Sequence, residues 1–288
     1  MHYAIIVNPA SGKMSLDRKL SALEDCAKIL GAKIYGMNTV TPSEFMASAR
    51  EAASRCDVLV VAGGDGAFSD VINAVDTRLK AVAYLPLGSG NALKYALGYK
   101  GNLPSIARRV LQAEIREWDL IGCDSRRRAF MVSLGLEGTV LGIRKRYLAR
   151  GITGLKAYSM AVLRAYFKHY HRLRAEVSWD GSSSVFDNIL TLMVFKQPFY
   201  GYGMRIIPSA RFDDRRLHVL CVTSGFFFSL IGTALSFVHG NPLGYYFAPS
   251  NLSVQLDTPT LLQADGNEAW TSDRFTFSVL PRALRIKC

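Results

Sequence analysis

The sequence predicts an α/β protein, with a parallel α/β domain over residues 1–122 followed by a β-rich domain over residues 123–288. Three observations predict this. Apolar runs alternate with helical-period segments through roughly the first 120 residues. Three of those runs end in glycine-rich turns. After "CDSRRR" (123–128), strand-like runs separated by turn residues dominate.

"YAIIV" (3–7) is a fully apolar strand. Leu16, Leu20, Leu23, Ala27 and Leu30 then fall at helical spacing over 15–30, with Gly31 as C-cap. "TPSE" (41–44) offers Thr41 as N-cap, Pro42 at the first helical position and Glu44 three residues on, which opens a helix to about Arg55. "DVLVVA" (57–62) and "AVAYLP" (81–86) are the next strands. A helix over 103–113 leads to a strand near 115–121. Beyond residue 123, "AFMVSLG", "AEVSWD", "NILTLMVF", "LHVLCV", "LSVQL" and "FTFSVL" read as strands, interrupted by one long helix near 154–174. That helix sets Leu155, Tyr158, Val162, Tyr166, Tyr170 and Leu173 beside Lys156, Arg164, Lys168, Arg172 and Arg174. Two readings of it stand: a basic amphipathic helix lying on anionic lipid, or an ordinary surface helix.

Of the 288 residues, 49% are hydrophobic, enough for a sizeable core, and the net charge is +12. The charge favours anionic partners. Dispersed basic residues and the lack of a recognised binding motif argue against nucleic acid. Cysteines 26, 56, 123, 221 and 288 are scattered and show no CxxC spacing. A disulfide framework or zinc site is not expected, and a reducing cytoplasm fits. The chain opens directly into a strand, without a signal-peptide pattern. Residues 219–238 run 20 positions without a charge, long enough on paper to span a bilayer. Thr223, Ser224, Gly225, Ser229, Gly232, Thr233 and Ser236 dilute the run, so a strand followed by an amphipathic or buried helix is the expectation.

The chemistry sits in three turns: "VNPASGK" (7–13), "AGGDGAF" (62–68) and "PLGSGN" (86–91). Each follows an apolar strand and precedes a helix. Parallel sheets bind ligands at the carboxyl ends of their strands, so the three should converge. Glycine N–H groups and helix N-termini can cradle phosphate there. Ser11, Ser89 and Asn91 can add hydrogen bonds, and Lys13 a positive charge. Neither a Walker A nor a GxGxxG pattern is present. Asp65 would repel a phosphate unless a cation intervenes, and Mg²⁺ bridging a carboxylate to ATP phosphates resolves the conflict. Asp65 as helix N-cap is a compatible second reading; Asp70 and Asn73 on the following helix could orient the loop. Downstream, "LLQADGNEAW" (261–270) carries Asp265 and Glu268. A carboxylate there suits phosphoryl transfer to an alcohol, while "DGN" is also good turn chemistry.

In this order, "NPASGK", "GGDGAFSDVINA", "PLGSGNALKYALG", "PFYGYGMRIIPSARFDDRRL" (198–217) and "QADGNE" (263–268) resemble the diacylglycerol kinase catalytic-domain family, which includes bacterial lipid kinases and the sphingosine and ceramide kinases. The resemblance runs nearly end to end. It implies an NAD kinase-like, three-layer nucleotide-binding domain, a C-terminal β-sandwich-like domain, and an active site in the cleft between them. By that resemblance Gly63, Gly64, Asp65 and Gly66 would bind ATP phosphate and Mg²⁺. Asn8, Ser11, Gly12, Gly88, Ser89 and Asn91 would shape the nucleotide site. Asp265, with Glu268, would be the catalytic acid pair, Asp265 acting as general base on a lipid hydroxyl.

Four departures stand out. Ala67 replaces a usual threonine. Gly88-Ser89-Gly90-Asn91-Ala92 replaces GTGND and looks more like the sphingosine and ceramide kinase branch. The family's DGE is DGNE, so either Asn267 takes the glutamate position or Glu268 reaches it. Bacterial relatives hold a structural Mg²⁺ at D-D-G-x-L-D. "DDRRLH" (213–218) keeps Asp213, Asp214 and Leu217 but places Arg215 and His218 where glycine and aspartate stand. Asp214 is therefore a weak candidate for that second metal.

The expected function is an ATP- and Mg²⁺-dependent lipid kinase acting on a diacylglycerol-like, sphingoid or other long-chain acceptor at the membrane surface. The alternatives are an NAD kinase-like enzyme with a soluble acceptor, or a nucleotide- or lipid-binding protein without turnover. A cytoplasmic, peripherally membrane-associated protein is expected, with a homodimer left open.

Overall fold

The computed structural model describes residues 1–12 and 14–288; Lys13 lies outside the described residues. The chain divides into two compact units. Met1–Asp119 and Pro281–Cys288 form the first, and Leu120–Leu280 the second.

In the first unit the order is β1 (Tyr3–Val7), α1 (Leu16–Leu30), β2 (Lys33–Tyr35), α2 (Pro42–Ser54), β3 (Val58–Gly63), α3 (Asp65–Ala74), β4 (Ala81–Pro86), α4 (Ala92–Ala96) and α5 (Leu103–Gln112), then β5 (Ile115–Cys123), which leads into the second unit. The strands lie parallel in the order β2-β1-β3-β4. Every residue of β1 and β3 is buried, as expected of a parallel sheet covered on both faces. Gly31 ends α1 in the left-handed conformation at φ 61°. Thr41 accepts the Glu44 N–H at 3.2 Å and Pro42 opens α2, as the sequence predicts.

The face of α1 differs from the predicted one. Lys19, Leu23, Cys26 and Leu30 are buried, whereas Leu16 and Leu20 are 49% and 37% exposed. The true stripe keeps the 4-3-4 spacing of a helix face but includes a lysine and a cysteine, and the apolar-only pattern rotated the face toward the leucines.

The second unit contains β6 (Arg127–Ala129), β7 (Met131–Gly135), α6 (Leu136–Ala149), α7 (Gly154–Arg164), β8 (Leu173–Trp179), β9 (Ser182–Ile189), β10 (Thr191–Phe195), β11 (His218–Val222), α8 (Phe226–Leu235), β12 (Tyr245–Phe247), β13 (Asn251–Ala264) and β14 (Asn267–Lys287). Antiparallel pairing gives the run β12-β11-β10-β7-β13-β14, with β8 on β13 and β9 on β8. Alternation along the strands serves two cores. Val132, Leu134, Leu192 and Val194 face one built between strands; Met131, Met193 and Phe195 face another built with α6 and α7. The end of β14 returns to the first unit, where Ile286 pairs in parallel with Val82 of β4; the sequence reading placed residues 281–288 with the second domain.

Two helical expectations are corrected here. Helix α6 was not predicted, because Glu137 and Gly138 sit on its buried face and dilute the pattern. The helix predicted over 154–174 ends earlier: α7 gives way to a π turn at Ala165–His169, Tyr170 is extended, and β8 begins at Leu173. Arg172 and Arg174 therefore leave the helical face. Arg172 donates to the carbonyls of Asn188, Thr223 and Ser224, and Arg174 pairs with Asp187 at 2.9 Å. The uncharged segment is indeed a strand and a helix, but α8 buries Gly232 alone. Among the described residues no helix is long and apolar enough to cross a membrane.

The rotation of α1 can be tested by urea denaturation. Leu23→Ala should cost roughly 2–5 kcal/mol and Leu20→Ala less than about 1 kcal/mol; equal losses would contradict the burial pattern.

Candidate active site

The first unit brings the three glycine turns into backbone contact. In the first, the Asn8 side chain accepts the Ala10 N–H at 2.9 Å and its carbonyl accepts the Ser11 N–H at 3.1 Å, a local Asx turn. Ser11 Oγ accepts the Gly64 N–H at 3.4 Å, joining the first turn to the second. Gly12, at φ +72°, lies so close to the third turn that a Cβ would meet the Leu87 carbonyl oxygen at 2.0 Å. The Gly63 carbonyl accepts the N–H groups of Leu87 at 2.8 Å and Gly88 at 3.2 Å. A Cβ on Gly88 would stand 2.5 Å from the Gly64 Cα. Only glycine permits approaches this close.

Asp65 ties the last two turns together. Its Oδ2 accepts the Ala92 N–H at 2.9 Å and its Oδ1 the Leu93 N–H at 3.1 Å. It thus caps α4, the helix after the third turn. Its own helix has Gly64 as N-cap and no side-chain cap, so the N-cap reading is corrected: the cap is real but belongs to a different helix. Burial pushes the Asp65 carboxyl up, and the two N–H donors partly offset this. Asn91 holds the third turn in the left-handed region at φ 45°, donating to the Gly88 carbonyl at 2.7 Å and accepting from the buried Tyr84 hydroxyl at 3.0 Å. Ser89 is exposed, Gly66 lies in the first turn of α3, and Asn73 donates to Ser69 O within its own helix. Ala67 is buried, and a Cβ on Gly63 would stand 2.6 Å from its methyl.

Sequence reasoning missed Lys19. It is buried on α1 and its Nζ donates to the Pro9 carbonyl, beneath the first turn. The signal was available: a lysine in register with Leu23, Cys26 and Leu30 is a charge on a buried face.

Mg²⁺ is usually held by one or two carboxylates plus substrate phosphates. Asp65 is partly exposed, and two accepted N–H bonds use half of a carboxylate's acceptor capacity. It therefore fits an ion shared with phosphates. A full protein cage is another matter, since the described residues contain no group of three His, Cys, Asp or Glu able to hold a metal.

In the second unit Asp265 is 4% exposed, and its Oδ1 accepts the N–H groups of Phe130 and Met131, both at 3.0 Å. Asp265 and Gly266, at φ 49° and 86°, form the two-residue turn between β13 and β14, closed by the Ala264–Asn267 pair. Turn and oriented carboxylate coexist. Glu268 points elsewhere, into an exposed ion pair with Lys145 at 2.6 Å. Asp214 is engaged by Lys196 and His218. A carboxyl the sequence reading passed over, Glu137, is buried on α6 and accepts from the Thr191 hydroxyl at 2.6 Å; burial pushes it up to about 7. A cavity of about 490 Å³ lies between Trp179, Asp180, Ser182, Asn251 and Thr276 and contains none of the predicted site residues.

Residues 2–123 match the family described as diacylglycerol kinase catalytic domain, and residues 131–288 that described as YegS C-terminal NAD kinase beta sandwich-like domain. A protein of Shewanella frigidimarina named "Probable lipid kinase YegS-like" is 23% identical over 79% of this chain and 75% of its own length. A "Diacylglycerol kinase" of Staphylococcus saprophyticus is 23% identical over 91% of this chain and 87% of its own. In fold, the crystal structure of a diacylglycerol kinase from Bacillus anthracis aligns with a TM-score of 0.73 at 16% identity, covering 99% of this chain and 96% of that one. An NAD kinase from Archaeoglobus fulgidus in complex with ATP aligns at 0.52 and 11% identity, over 100% and 94%. The fold is thus an NAD kinase-like α/β domain with a C-terminal β-sandwich-like domain.

Two outcomes follow. Gly12→Ala should lower the melting temperature by several degrees, measured by scanning calorimetry, because its methyl has no room against Leu87. Glu137 has a folded pKa near 7, above its ordinary value of 4.5. Its contribution to stability is therefore full below about 4.5 and lost as pH rises through 7. Urea unfolding between about pH 5 and pH 7.5 should show a loss on the order of 3 kcal/mol that Glu137→Gln removes.

Proposed function

This chain belongs to the diacylglycerol kinase catalytic-domain family, and from that premise we propose that it transfers the γ-phosphate of ATP to a lipid hydroxyl. The observation that carries the reading is the close approach of the three glycine turns, Gly12 against the Leu87 carbonyl and Gly64 against Gly88. At Gly12, Gly64 and Gly88 the turns present backbone without side chains, which polyphosphate oxygens can approach closely. Asn8, Ser11, Ser89 and Asn91 supply polar groups around it, and Gly66 the first turn of α3. Asp65 would hold Mg²⁺, whose charge offsets that of the phosphates when bound.

Asp265 is assigned the acceptor proton. Its carboxylate is oriented by the Phe130 and Met131 N–H groups, which favours a fixed geometry over a swinging side chain. Glu268 takes no proton step in this reading, because it is exposed and paired with Lys145.

A lipid acceptor places the protein at a bilayer, and α8 supports that. Phe227 and Phe228 are 76% and 62% exposed, and Leu230 and Ile231 are also exposed. The Phe226 ring lies tilted against Phe167, centroids 4.8 Å apart, which extends the apolar surface to a segment carrying exposed Leu163, Arg164 and Lys168. Aromatic and aliphatic groups rimmed by cations suit an anionic lipid surface.

Labelled ATP with diacylglycerol, phosphatidylglycerol, sphingoid and ceramide acceptors should give an organic-phase product. Asp265→Asn and Asp65→Ala should each lower its rate at least about 100-fold. A water-soluble product from NAD, or nucleotide binding with no product from any acceptor, would sink the reading. Separately, Phe227→Ser with Phe228→Ser should abolish co-sedimentation with phosphatidylglycerol vesicles.

A further inference from the structure

The "DDRRLH" loop contains an arrangement that the sequence does not announce. Lys196, one residue past β10, has a fully buried side chain, and its Nζ donates to Asp214 Oδ1 at 2.7 Å and to the Arg216 carbonyl at 2.9 Å. The other Asp214 oxygen, Oδ2, meets His218 Nε2 at 2.7 Å, and His218 Nδ1 meets the Tyr246 hydroxyl at 2.8 Å. The Arg216 N–H adds a bond to Asp214 Oδ1 at 3.2 Å. Arg215 stands at φ 58°, so the loop keeps the left-handed turn that a glycine would adopt freely.

A carboxylate oxygen and a backbone carbonyl aimed at one point are the oxygen ligands that a hard divalent ion takes. Here that point is filled by an ammonium. We propose that Lys196 is a built-in cation standing where a structural divalent ion would otherwise sit, so that loop 211–218 holds its shape without metal. The charge balance supports this. Lys196 and Asp214 form a neutral pair, and Asp213 turns outward, 67% exposed and 3.9 Å from Arg211. A divalent ion added beside Lys196 would set three positive charges against the Asp214 carboxylate, a costly arrangement in a buried site. His218, 3% exposed, offers nitrogen where Mg²⁺ prefers oxygen.

The experiment needs no nucleotide or acceptor, so its result stands apart from the kinase reading. Purified protein is analysed for bound metal by mass spectrometry, and its melting temperature is measured in excess EDTA, Mg²⁺ or Ca²⁺. The expectation is no stoichiometric metal and a melting temperature equal in all three. Lys196→Ala should lower it by roughly 10 °C. Lys196→Ala combined with His218→Asp should create a saturable stabilisation by Mg²⁺ or Ca²⁺ that Asp214→Asn abolishes. Stoichiometric metal in the unmodified protein, removed by EDTA with a fall in melting temperature and absent from Asp214→Asn, would overturn the proposal. So would a folded double variant indifferent to divalent ions. If neither variant folds, the metal content and EDTA response of the unmodified protein decide.

Discussion

The first unit depends on one close approach, that of the Gly64 and Gly88 backbones. Two parallel strands, β3 and β4, deliver their turns side by side, and the absence of side chains lets the Gly63 carbonyl take both Leu87 and Gly88 N–H groups. Once the turns touch, Asp65 is within reach of the start of α4. Its carboxylate then replaces the cap that Asn91, turned left-handed, does not provide. The aspartate among the glycines is thus a structural tie before it is anything else. The same two N–H bonds that fix α4 also aim the carboxylate.

The second unit uses buried charge differently. Lys196 and Asp214 neutralise each other, Asp265 is held by backbone donors, and Glu137 leans on a threonine hydroxyl. Each is a polar group whose hydrogen bonds cross between segments far apart in sequence. Such contacts specify one arrangement of strands and loops more sharply than apolar packing does, because leaving any of them unpaired in the interior is costly.

Much of the first unit was legible because its strands are apolar throughout and its turns carry glycine where only glycine fits. The three turns could be read to converge from topology alone, and they do. What escaped was what lies under them. Lys19 was passed over because Leu16 and Leu20 drew the predicted face of its helix, and the partner of Asp65 is a helix beginning 27 residues later. In the second unit, α6 escaped because its buried face carries Glu137 and Gly138, and the α7 segment was overextended because Tyr166 and Tyr170 continue its period past the π turn. Asp214 was doubted as a metal ligand on chemical grounds. Its actual partner, Lys196, lies 18 residues upstream on another strand's end, a pairing no local pattern encodes.

The return of β14 has a temporal consequence. Ala283, Leu284 and Ile286 are fully buried in the first unit, and the Thr77 hydroxyl donates to the Ala283 carbonyl at 2.7 Å. During synthesis, residues 1–119 leave the ribosome with a sheet edge at β4 that stays open until some 160 further residues have been made. The first unit is thus closed last by a strand from the far end of its neighbour. The second unit is an insertion within the first, and the nascent chain must protect an unfinished edge while that insertion folds.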